Sequence, residues 1–132
     1  MESLGYIELK DLEVYRISRQ LSSEIWGIYC KMSYEDKKHL GDQILRSADS
    51  VGANIAEGYG RFHYLDKVRV YHFARGSHFE AFTHWLEILR ERDKISLEEF
   101  ENIRSKASML QIKLNNLISI TTRKGKEKHE II

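Results

Sequence analysis

Histidines spaced for a metal, glycines placed for a phosphate and serines placed for acyl transfer are the patterns by which a chain of this kind could do chemistry. Helical bundles that hold two metals use Glu-x-x-His pairs, whose three-residue spacing sends both side chains from one face of a helix. His39, His63, His72, His78, His84 and His129 include no pair three or four apart, and none follows a glutamate by three. Glu80 and His84 do share a face at a spacing of four, which is the spacing of an exposed ion pair. No metal site and no cofactor are expected.

Gly58-Tyr59-Gly60 would cradle a phosphate only behind a strand and ahead of Lys-Ser or Lys-Thr, and here Arg61 follows. The run reads instead as a helix stop, with glycines free to take the positive φ of a helix C-terminus. Gly76-Ser77 lacks the Gly-x-Ser-x-Gly frame of a nucleophile elbow and falls inside a helical pattern. Glu35 with Asp36, and Glu98 with Glu99, stand where helices begin, and carboxylates suit the positive end of the helix dipole. Cys30 lies among Ile25, Trp26, Ile28, Tyr29 and Met32 and reads as a buried, inert thiol; a single cysteine makes no internal disulfide. These residues point away from an enzyme.

Charge is the remaining resource. The net charge of the 132 residues is +1. Residues 1–60 carry seven Lys and Arg against ten Asp and Glu, and residues 61–132 carry fourteen against ten, so the basic excess lies in the second half. Arg61, Lys67 and Arg69, with Arg75 and Arg46 brought close by folding, are candidate phosphate contacts; each would release counterions and make binding salt-sensitive. A second basic cluster, Arg123, Lys124, Lys126 and Lys128, falls near the end.

The elements that must position these residues are helices. The chain has no proline, and apolar residues recur at steps of three and four in almost every window. Helices are expected at about residues 9–31, 34–57, 65–92 and from the Ser96 cap to Thr122, with a mobile basic tail from about 123. In the second helix Ser47, Ala48, Gly52, Ala53 and Ala56 would let a neighbour approach closely, and Asn54 would sit near that seam. In the third, Val68, Tyr71, Ala74, Phe79, Phe82, Trp85, Ile88 and Leu89 give an aromatic core side, interrupted by Arg75 and His78. An inward Arg75 needs a partner, and Glu57 is the expected one. Short connections make sequential helices antiparallel. The expected fold is therefore all-α, an antiparallel up-down-up-down four-helix bundle in one domain spanning residues 1–132. No run of 18 apolar residues occurs, and Met1-Glu2-Ser3-Leu4 lacks the layout of a signal peptide, so a cytoplasmic protein without membrane contact is expected.

Three runs together carry a resemblance: Gln43-Ile44-Leu45-Arg46-Ser47-Ala48, then Asn54-Ile55-Ala56-Glu57-Gly58-Tyr59-Gly60-Arg61, then Phe73-Ala74-Arg75-Gly76-Ser77 with Glu80. In these the chain resembles the bacterial four-helix bundle family named for proteins encoded in intervening sequences of 23S ribosomal RNA genes. The resemblance covers nearly the whole chain, including Leu12-Glu13-Val14-Tyr15. It implies ring-shaped homo-oligomers, pentamers by analogy, and a kinship with the accessory protein of diversity-generating retroelements, which binds nucleic acid and a reverse transcriptase. The residues carried over are Asn54, Glu57, Gly58, Gly60, Arg61, Arg75, Gly76, Ser77 and Glu80, most of them as architecture. Leu45 stands where many relatives have a second arginine beside Arg46. Two readings follow: an oligomeric accessory protein that binds RNA or DNA through its basic surface, or a scaffold whose ring presents helices to a protein partner such as a reverse transcriptase.

Overall fold

The computed structural model describes the backbone of residues 7–131 and the side chains of residues 7–128. The start, residues 1–4, and the His129 side chain lie outside the described residues. Among the described residues there are four long helices and no strands. Helix α1 is Glu13–Cys30, entered through a 3₁₀ turn at Leu9–Asp11. Helix α2 covers residues 34–60, formed by Tyr34–Asp36, a π-helical stretch Lys37–Gly41 and Asp42–Gly60. Helix α3 covers residues 64–91, formed by Tyr64–Phe79, a π-helical stretch Glu80–Trp85 and Leu86–Glu91. Helix α4 is Leu97–Ile131. Sequential helices pack on one another, and α4 returns to α1, closing the antiparallel four-helix bundle. No described helix is long and apolar enough to cross a membrane.

Each helix turns one apolar stripe inward. Leu21 and Ile25 of α1, Ile44 and Ile55 of α2, Leu86 of α3 and Leu110 of α4 are almost wholly removed from water. Each contributes about 1.5–3 kcal/mol of transfer free energy. The small residues of α2 do what their size suggests: Gly52 is buried so close to α1 that a Cβ there would stand 3.0 Å from Ser18 Oγ. One turn away, the Ser22 hydroxyl donates across the same seam to the Ala48 carbonyl at 3.3 Å.

The helix boundaries follow from chemistry at the ends. Ser33 Oγ accepts from the Asp36 amide at 3.1 Å, starting α2. At α4 the cap is reciprocal: Ser96 Oγ accepts from the Glu99 amide at 3.0 Å while a Glu99 carboxylate oxygen accepts from the Ser96 amide at 2.9 Å. That backbone bond holds the Glu99 carboxyl below its ordinary range. Helix α3 ends with Asp93 at φ 58°, the Lys94 amide bonding to the Leu89 carbonyl and the Asp93 amide to the Arg90 carbonyl. This is a Schellman closure with aspartate in the place glycine usually takes.

The core side of α3 differs from expectation. Its buried positions are Val70, Tyr71, Ala74, His78, Ala81, Phe82, Leu86 and Leu89, whereas Phe79 is 58% exposed and Arg75 is exposed. The reason is phase. From Ala74 the buried series steps by four to His78, Phe82 and Leu86, and each such step overshoots an α-helix by about 40°. The wider turn at Glu80–Trp85 absorbs the drift. It also brings residues five apart together: Trp85 Nε1 donates to the Glu80 carboxylate at 3.1 Å, so the partner of Glu80 is Trp85 and not His84.

Candidate nucleic-acid interface

The run from Asn54 to Arg61 closes α2 against α3, but not by the means expected. Neither Gly58 nor Gly60 adopts positive φ, and the chain leaves the helix through Arg61 in an extended conformation. Gly58 serves a close approach instead. A Cβ there would lie 2.6 Å from Cε1 and 2.7 Å from Cδ1 of Tyr71, a ring only 2% exposed. Burial pushes the Tyr71 hydroxyl up to about 12. The orphan carbonyls at the end of α2 are met from α3: Lys67 Nζ donates to the Tyr59 carbonyl at 2.8 Å and to that of Gly58 at 3.4 Å. Burial moves this ammonium below its ordinary pKa, and Lys67 is held as a capping group.

The other side chains of this end are exposed. Arg61 pairs with Glu57 one turn back on α2, and the Glu57 partnership raises the guanidinium pKa further. Phe62, in the turn, is 97% exposed. His63 Nδ1 accepts from the Leu65 amide at 3.2 Å and starts α3. Helix α4 then brings a second set of cations to the same end. It continues past the expected stop at Thr122, and Gly125 leaves room for the Tyr64 ring of α3 directly on its backbone. Arg123, Lys124, Lys126 and Lys128, expected on a mobile tail, stand exposed on a helix beside the α2–α3 turn.

Along the outer face of α3, Arg69 lies over the Phe73 ring, 5.7 Å from its centroid. Farther on, His72, Arg75, Gly76 and Phe79 line a surface depression of about 450 Å³ with Gln111 of α4. Arg75 thus faces outward. The expected ion pair between Glu57 and Arg75 does not form, since Glu57 is held by Arg61. Arg46 is exposed on α2, well removed in sequence from the α2–α3 turn. Asn54 is half-buried and donates to the Ser50 carbonyl of its own helix at 2.9 Å. Ser77 is half-buried, and Gly76 and Glu80 are exposed. Cys30 is exposed rather than buried, because the last turn of α1 has passed the end of its apolar stripe at Ile28.

His78 holds the core-side place in α3 that the sequence gives it, while Arg104, half-exposed on α4, makes a pairing the sequence reading does not name. His78 is 3% exposed and donates from Nε2 to the Ala107 carbonyl at 2.7 Å, which fixes its neutral tautomer. Burial lowers its pKa, opposed by that bond. Its place in the series Tyr71, Ala74, His78, Phe82 was the available signal. Arg104 of α4 pairs with Glu87 of α3 and lies over the Phe100 ring. No group of three His, Cys, Asp or Glu side chains placed to hold a metal is found among the described residues.

The four-helix fold is shared with similar proteins. The family model of the 23S rRNA-intervening sequence protein matches residues 10–116. The chain belongs to that family. Every candidate on α2 and α3 falls inside the matched segment of this 23S rRNA-intervening sequence protein domain, and the α4 cations from Arg123 onward fall outside it. A solved structure, that of a protein with unknown function from the S23 ribosomal protein family of Bacteroides thetaiotaomicron, is similar at a TM-score of 0.73 and 28% identity. The match covers 80% of this chain and 97% of that one. No curated protein matches.

Proposed function

We propose that this member of the 23S rRNA-intervening sequence protein family is a non-catalytic, oligomeric bundle that binds RNA or DNA as an accessory protein. The observation that carries the reading is the gathering of Arg61, Lys67, Arg123, Lys124, Lys126 and Lys128 at one end of the bundle, against Glu57, Asp66 and Glu127. A ring of identical subunits, a pentamer by family analogy, would repeat this end and build a strong local field from a chain of net charge +1. The test is fluorescence anisotropy with short RNA and DNA at low and moderate salt. Binding that falls steeply with salt and weakens in Arg61→Glu and Arg69→Glu supports the reading. Undetectable binding at low salt by an intact assembly overturns it.

A second reading has its own observation. Met109, Ile112 and Ile120 of α4 and Trp26 of α1 are 44%, 63%, 41% and 55% exposed, and such apolar surface serves contacts between proteins. It supports self-assembly, and with it a scaffold that presents ring-assembled helices to a protein partner such as a reverse transcriptase. Native mass measurement tests the assembly: a strictly monomeric species removes the ring from both readings.

A further inference from the structure

Gly76 stands in the middle of α3, where glycine is the weakest ordinary helix former, and nothing in the bundle explains it. A Cβ at this position would meet no atom within 4 Å. The missing side chain leaves an open notch on the outer face of α3. What surrounds the notch defines the ligand it fits. Phe73 and Phe79 flank it on the same helix and are 53% and 58% exposed, rings the core does not use. Six residues separate them, about 9 Å along the axis, with the glycine between. Arg69 lies against the Phe73 ring. His72, Arg75 and the neutral amide of Gln111 join Gly76 and Phe79 in lining the depression. The acid at its edge, Glu80, is engaged by Trp85 Nε1.

Flat rings, cations and an amide around an open notch match an unpaired nucleobase with its phosphate. We propose that the Gly76 depression is a base-stacking subsite for single-stranded RNA or DNA. A base lies on Phe79 over the backbone of Gly76, the Gln111 amide reaches its edge, and Arg75 and Arg69 meet the flanking phosphates. Stacking on a side chain requires a base released from its own stack, so this site selects single strands over duplex. The cation-rich end at Arg61 and Arg123 carries no such selection, because phosphates are common to both forms. This subsite rests on the nucleic-acid reading and deepens it.

The test compares a dye-labelled single-stranded oligonucleotide with the same sequence as a duplex, for the full chain and the variants Phe79→Ala and Gly76→Leu, with native mass and thermal unfolding in parallel. Single-strand affinity is expected to fall about tenfold in Phe79→Ala and by a similar factor in Gly76→Leu, with duplex affinity unchanged. Thermal stability of Gly76→Leu should be no lower than that of the parent, since the added side chain enters open space. Equal affinity for both forms, undiminished in both variants, overturns the subsite while leaving the nucleic-acid reading intact. Absence of binding by the parent to either form overturns both. A change of native mass in Gly76→Leu assigns the notch to a contact between copies of this chain and overturns the proposal.

Discussion

Replacing Gly58 with alanine tests how α2 and α3 are held together. The new methyl carbon would stand 2.6 and 2.7 Å from two carbons of the Tyr71 ring and 3.3 Å from the Lys67 carbonyl oxygen. Ordinary contact lies about 1 Å farther out, and a ring that is 2% exposed has no free side to move into. Overpacking of this kind costs about 1–3 kcal/mol. The gain in helix propensity returns up to about 1 kcal/mol, leaving a net loss of up to about 2 kcal/mol, or up to roughly 7 °C in Tm for a chain of this length. Gly60→Ala, with nothing within 4 Å of the added carbon, is the control and should be neutral or stabilising by about 0.5 kcal/mol. Both are read by thermal and urea unfolding at one fixed protein concentration, so that assembly contributes equally. In a Tyr71→Leu background the Gly58→Ala cost should largely vanish, a coupling of about 1 kcal/mol or more. Equal stabilisation by both alanines, with no coupling to Tyr71, would refute the close approach and restore the glycines as a mere helix stop.

Three further outcomes are expected. His78 is neutral when folded and its pKa is lowered by burial, so below about 6.5 the unfolded chain takes up a proton that the folded chain refuses. Stability should therefore be held above that pH and fall as the pH drops toward the folded value, with a slope of up to about 1.4 kcal/mol per unit. His78→Gln should flatten that part of a pH series of urea midpoints. Lys67→Met keeps the apolar stem but strands the Tyr59 carbonyl, while that of Gly58 keeps its bond from the Arg61 amide; a loss of about 1 kcal/mol and faster amide exchange in the last turn of α2 are expected. Truncation after Thr122 removes four exposed cations and, among the described residues, no buried core residue, since the buried series of α4 ends at Ile118. Helix content per residue should persist, while the slope of log affinity against log salt for nucleic acid should shrink by up to about 3. An unchanged slope would place those cations away from the phosphates.

The number of helices and their connections could be read from the sequence because local signals agreed with one another: apolar steps of three and four, Ser33 and Ser96 as caps, and no proline. The outward face of α3 could not. Phe79 and Arg75 face outward because the buried series runs through Ala74, His78, Phe82 and Leu86, steps of four that the widened turn at Glu80–Trp85 keeps in phase. The end of α4 was misjudged for a different reason. Apart from Gly125, residues 123–128 are charged and carry no stripe, and the fit of the Tyr64 ring on Gly125 is a tertiary contact that local sequence does not signal. The same holds for Gly58, whose role depends on a ring thirteen residues downstream in the sequence. Of the candidate cations, proximity in sequence grouped Arg61 with Lys67 correctly. It gave no warning that Lys67 would be engaged by the carbonyls of α2.

The two widened turns also bear on how this bundle can change length. Deleting one residue from a regular stretch of helix rotates everything beyond it by about 100° relative to the core, which would carry Leu86 and Leu89 from the interior to the surface. A π-helical stretch already holds the extra residue. Removing one residue from Glu80–Trp85, or from Lys37–Gly41 near the start of α2, would let the backbone relax to ordinary α geometry with the flanking halves still facing as they do now. These two places are where insertions and deletions of a single residue can accumulate in related sequences without dismantling the core, and where an alignment that assumes unbroken helices will slip.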